Sequence, residues 1–145
     1  MPFAVSRRLV EVGMREQAEW SRVSTDDQAL LRWLIARFSG MTEECLIAIY
    51  VDRAGGFVCE ETFRSGAEAW VVIKPRTLFR QAMRLDCAGL LLAHNHPSGD
   101  PRPSSEDVRT TQRIAAHGKL LDVELIDHLV IAGNTVTSMK RARLL

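Results

Sequence analysis

The chain has 145 residues, 46% of them hydrophobic and 26% charged, with a formal net charge of +1. This is an ordinary globular composition, long enough for one domain plus an appendage with roughly two-thirds of its unfolded surface buried, and no apolar run approaches the ~20 residues that span a bilayer. Residues 41–138 hold ten Lys/Arg against thirteen Asp/Glu, so this part of the chain lacks the basic footprint of a nucleic-acid-binding surface.

Residues 6–22 carry a loose helical pattern with Leu9, Val10, Met14 and Trp20 among charges. Thr25 followed by Gln28 resembles a capping box and predicts a helix through Leu30, Leu31, Leu34 and Phe38, with Gly40 as the C′ residue. Leu46–Val51 reads as a strand, residues 52–56 as a turn, and Phe57–Phe63 as the returning strand of a hairpin. Trp70–Ile73 is a further strand. Pro75 suits the first turn of a helix running to about Leu85. Cys87–Ala93 is a buried strand that continues into His94 and His96. A Gly/Pro loop leads to a helix from Ser104 to about His117, ended by Gly118. Val123–Ile131 is another strand, and Gly133-Asn134 turns into a short last one, Thr135–Thr137. Strands and helices mixed without strict alternation imply an α+β or mixed-sheet α/β domain. The expected division is an N-terminal helical extension, residues 1–40, and a main domain, residues 41–145.

The first eight residues lack a charged start followed by an apolar core, so no secretory signal is expected. Cys45, Cys59 and Cys87 are odd in number and widely spaced, which reads as reduced thiols of a cytoplasmic protein rather than a disulfide framework.

The segment from His94 to Asp107 carries the chemistry. Residues i and i+2 of a strand point to one face, so His94 and His96 present two imidazoles side by side, and a helix restarting at Ser104 brings Asp107 back toward them. Two His and one carboxylate with a position left open is the ligand set of a catalytic zinc site. Ser104-x-x-Asp107 is also close to a capping box, which stabilises a helix by roughly 0.5–2 kcal/mol with no metal involved. The two readings are compatible. Asp100 suits a cap of the Gly99-Asp100-Pro101 turn, and His128, beside Asp127 on a strand, suits a structural or supporting hydrogen-bonding role.

His94-x-His96-Pro97 with Ser104-x-x-Asp107 resembles the JAMM (MPN+) metalloprotease motif without gap or insertion. The run Ala93–Pro101 and the later Asp127-His128-Leu129-Val130-Ile131 are similar to the RadC-type branch of that superfamily, as are Val51-Asp52, Phe63-Arg64-Ser65-Gly66 and Lys74-Pro75-Arg76. The resemblance covers about residues 42–137. It implies a cytidine-deaminase-like JAB/MPN fold, a mixed sheet flanked by helices, holding Zn²⁺ on His94, His96 and Asp107. It also implies an upstream strand Glu as general base. Of the adjacent Glu60 and Glu61, which face opposite sides of the sheet, the resemblance selects Glu61 and leaves Glu60 toward solvent. Ser104 would orient the water or stabilise the oxyanion. The implied reaction is hydrolysis of a peptide, isopeptide or other amide bond in a peptide or protein substrate. Asn95, where eukaryotic-type members carry Ser or Thr, matches the RadC branch instead. The alternatives are a DNA-repair-associated protein acting on or near nucleic acid, and a non-catalytic MPN scaffold. No membrane partner is expected.

Overall fold

The computed structural model describes residues 22–64 and 74–145. The helical pattern preceding Arg22 and the strand expected at 70–73 lie outside them. Among the described residues the elements are α1 (Gln28–Phe38), β1 (Cys45–Val51), β2 (Phe57–Arg64), α2 (Pro75–Arg84), β3 (Gly89–Asn95), α3 (Ser105–Leu120), β4 (Glu124–Ala132) and β5 (Thr135–Ser138). The strands form one mixed sheet in the order β2-β1-β3-β4-β5. Among the described strands only β3 and β4 pair in parallel, because α3 carries the chain back across the sheet between them. This mixed sheet with helices on both faces fits a JAB/MPN fold.

Alternation along the strands sorts the core into two layers. Cys45, Ile47, Ile49 and Val51 of β1 meet Leu91 and Ala93 of β3 and the buried stripe Leu30, Leu34 and Phe38 of α1. Leu46, Ala48 and Tyr50 point the other way, with Leu90 and Leu92, onto Leu78, Phe79 and Ala82 of α2 and Ile114 of α3. Spacing of i and i+4 gives α1 its single buried face. The helix assigned by sequence to the N-terminal extension thus contributes to the same core as the central strands.

The start of α1 differs from the expected Thr25–Gln28 box. Asp27 is the N-cap, and its carboxylate accepts the Ala29 N–H at 2.8 Å. A carboxylate one residue before the helix satisfies an orphan donor and is favoured by the helix dipole. Gly40 follows with φ of 75°, the left-handed conformation expected after a helix end.

Gly118 does not end its helix. α3 runs on to Leu120, and the residue in the left-handed region is Asp122, with φ of 55°. Gly118 is needed for close approach: a Cβ there would stand 2.2 Å from the Val123 carbonyl oxygen. Replacing an interior helix Gly by Ala ordinarily gains about 0.5–1 kcal/mol, but the obstacle here is backbone, and overpacking costs about 1–3 kcal/mol or more. Gly118→Ala is therefore expected to lower the unfolding free energy by about 1–2 kcal/mol in chemical denaturation; an unchanged or higher stability would contradict this packing.

Candidate metal centre

His94 sits near the C-terminal end of β3, buried, and faces the α2/α3 side of the sheet with Leu92 and Leu90. The strand ends at Asn95, yet the His96 N–H still donates to the Ile131 carbonyl at 2.9 Å, so the two imidazoles stay side by side. Their ring centroids are 4.8 Å apart. Asn95 points to the opposite side. Its side chain accepts the Cys45 N–H at 2.7 Å and donates to the Glu43 carbonyl at 3.0 Å, pinning the approach to β1.

Asp107 arrives from the first turn of α3. Ser104 is the N-cap: its hydroxyl accepts the Asp107 N–H at 3.0 Å, and its own N–H donates to Asp107 Oδ2 at 2.8 Å. The capping box is present, and it is also what fixes the carboxylate. The same Oδ2 lies 3.1 Å from His96 Nε2 and 3.3 Å from His94 Nε2, while the two Nε2 atoms are 3.0 Å apart. The capping and metal readings therefore describe one arrangement, in which a helix-start device aims an oxygen at two imidazoles.

The donor set fits a small divalent cation. Ligands about 2.0–2.1 Å from a tetrahedral zinc are separated by roughly 3.3 Å, close to the three distances found. His96 Nδ1 lies 2.8 Å from the Asp100 carbonyl oxygen, which only accepts. Nδ1 must then carry the proton, leaving the Nε2 lone pair toward Asp107. A ligating His held in its tautomer by a carbonyl is the usual supporting arrangement. The turn-capping role expected of Asp100 is half of its part: its carboxylate accepts the Arg102 N–H at 3.0 Å, and its carbonyl orients His96.

Glu61 does not join this cluster; among the described residues the metal-ligating group comprises His94, His96 and Asp107. It pairs with Ala48, which pairs with Leu92, so it lies two strands from β3 on the same face as His94 and one alternate position back along it. Its carboxylate accepts from the Tyr50 hydroxyl at 3.4 Å, and burial raises its pKa above the ordinary carboxylate value. Glu60 faces the other side, as expected, but it is buried rather than toward solvent, paired with the Arg37 guanidinium at 3.5 Å.

Two supporting residues lie behind His94. His128 Nε2 is 2.7 Å from His94 Nδ1, and His128 Nδ1 is 2.7 Å from the Thr111 hydroxyl. A register shift in the β3–β4 pairing between Leu90 and Leu91 puts His128 opposite Leu92 on the α3 side, although Ile126 packs on the α1 side. Strict alternation would have placed Ile126 and His128 together. Thr111 has no part in the sequence motif; its one signal is the i+4 spacing from Asp107 on one helix face. Beside His96, a cavity of about 290 Å³ opens among Ile35, Phe38, Met41, Ile131 and Asn134.

Burial opposes the charge on Asp107, but hydrogen bonds with His94 and His96 and the Ser104 N–H outweigh it and hold its carboxyl well below the usual carboxylate range. His96 is raised, chiefly by its hydrogen bond to Asp107, against burial. His128 is pushed far down by burial.

A family model for the RadC-like JAB domain matches residues 24–144. The chain is 31% identical over 138 residues to a UPF0758 protein of Enterococcus faecalis, covering 92% of this chain and 59% of that protein. It is 35% identical over 109 residues to one from Halalkalibacterium halodurans, covering 75% and 47%, and 32% identical over 143 residues to one from Clostridium perfringens, covering 99% and 58%. The chain thus spans about half the length of these relatives.

Two expectations follow from the electrostatics. A His whose folded-state pKa is raised stabilises the fold below its unfolded value of ~6.5 and loses that contribution as pH rises through the folded value. In chelator-treated protein, the stability difference between the parent and His96→Gln should be larger near about pH 5.5 than near about pH 8.5; a difference independent of pH would contradict the His96–Asp107 pairing. Ser104→Ala should lower the stability of the same metal-free protein by about 1 kcal/mol through loss of the cap; a change near zero in thermal or chemical unfolding would remove the capping role.

Proposed function

The chain belongs to the RadC-like JAB domain family, and from that membership and its converging donor set we propose that it is a zinc-dependent hydrolase of peptide, isopeptide or other amide bonds. The observation that carries this reading is the approach of His94 Nε2, His96 Nε2 and Asp107 Oδ2 to within 3.0–3.3 Å of one another. His94, His96 and Asp107 would hold the ion, and such an ion, when bound, supplies a water acidified toward pKa ~7 and a Lewis acid for a carbonyl oxygen.

The remaining steps fall to the protein's own side chains. Glu61, on the same face as His94 with a pKa raised by burial, acts as the general base: a carboxylate poised nearer neutral pH accepts a proton from water and returns it to the leaving amine more effectively than an ordinary one. Its Tyr50 hydrogen bond, at 3.4 Å, is long enough to be exchanged for one with the reacting water. Ser104 accepts the Asp107 N–H through its oxygen and keeps its hydroxyl proton to donate to the developing oxyanion. The cavity beside His96, walled by the end of α1, offers room for a substrate side chain next to that one ligand.

The test is metal content followed by base removal. Purified protein supplemented with zinc and then dialysed should retain about one equivalent, and His94→Ala should retain far less. Less than about a tenth of an equivalent in the parent would leave a scaffold instead of an enzyme. Glu61→Gln should keep the zinc and lose about 10²-fold or more in amide hydrolysis; full activity in that variant would remove Glu61 from the mechanism.

A further inference from the structure

We propose that His128 and Thr111 form a proton-ordering relay that holds His94 in the tautomer able to bind a metal, with Asp107 supplying both a ligand and the relay's fixed end. The relay rests on the metal reading above and adds two positioning residues to it. The directions follow from one group that cannot be reversed. The Asp107 main-chain carbonyl only accepts, and the Thr111 hydroxyl lies 2.6 Å from it, so the hydroxyl proton is committed there. Thr111 Oγ1 must then accept from His128, 2.7 Å away, which places the His128 proton on Nδ1. His128 Nε2 is left with a lone pair, and its partner at 2.7 Å, His94 Nδ1, must donate to it. His94 Nε2 is thereby unprotonated and faces Asp107 Oδ2 and His96 Nε2.

The opposite order gives the opposite result. If Thr111 donated to His128, the proton would sit on His128 Nε2, His94 Nδ1 would accept it, and the His94 Nε2–H would close the ligand position. Both rings and Thr111 are buried, so bulk water does not reset the order. His96 reaches the same end state through a single carbonyl, that of Asp100. Among the described residues His94 Nδ1 meets His128 and not a carbonyl, and α3 provides one at a distance of two side chains.

The relay is testable apart from zinc chemistry. In metal-free, ¹⁵N-histidine-labelled protein, long-range ¹H–¹⁵N correlation should find His94 and His128 both protonated on Nδ1. Thr111→Val, nearly isosteric but without the hydroxyl, should shift His94 toward the Nε2–H form and weaken zinc binding by about tenfold or more in a competition titration, and Thr111→Ser should restore both. His128→Gln serves as a second variant, expected to lose zinc affinity by a similar factor. The relay is overturned if His94 in the parent carries its proton on Nε2, or if Thr111→Val leaves both the tautomer and the zinc affinity unchanged. A parent that binds no zinc but shows the Nδ1 tautomers would sink the proposed hydrolase and uphold the relay.

Discussion

Three hydrogen-bond acceptors are held against one another at the end of β3: two imidazole nitrogens and one carboxylate oxygen, 3.0–3.3 Å apart. Lone pairs so placed repel unless a proton or a cation lies among them. Each is held from behind by a hydrogen-bonding partner. Asp107 is held by the Ser104 N–H at the helix start, His96 by the Asp100 carbonyl, and His94 by His128 and Thr111. In metal-free protein the hydrogen bond to Asp107 raises the His96 pKa and so favours a second proton on that ring. A divalent ion relieves the repulsion among all three atoms and binds in competition with such a proton.

The fold serves this convergence. β3 is flanked by antiparallel β1 and parallel β4, and the parallel pair exists because α3 crosses back over the sheet. The crossover starts at the C-terminal end of β3, where open α/β sheets place their ligands. Its first turn delivers Asp107, its second delivers Thr111, and its Gly118 lets the helix end close onto Val123. The α1 helix packs on the far face through Leu30, Leu34 and Phe38, and its end forms one wall of the cavity beside His96.

Much of this is legible in the sequence because the signals are local. His94 and His96 need only the period of a strand, and Ser104-x-x-Asp107 only the geometry of a helix start. Pro75 marks the first turn of α2, and Gly133-Asn134 the turn before β5. What escapes depends on tertiary neighbours. Gly118 looks like a helix stop because its real constraint, the Val123 carbonyl, is a contact made only after the chain turns. Glu60 looks solvent-facing because nothing in the strand announces Arg37 on a helix some twenty residues earlier. The order Asp107–Thr111–His128–His94 depends on a register shift in β4, which no alternation pattern encodes. Asp27 displaces Thr25 as the α1 cap because a carboxylate is available nearer the helix.

X-ray absorption at the zinc edge of the loaded protein probes the convergence of His94, His96 and Asp107 on one ion without recourse to activity. The expected spectrum is that of a four-coordinate ion with nitrogen and oxygen neighbours at about 2.0–2.1 Å, two of them imidazoles. A sulfur neighbour at about 2.3 Å would instead point to a cysteine, and an environment lacking paired imidazoles would separate the ion from His94 and His96. Either result would contradict the three-ligand centre.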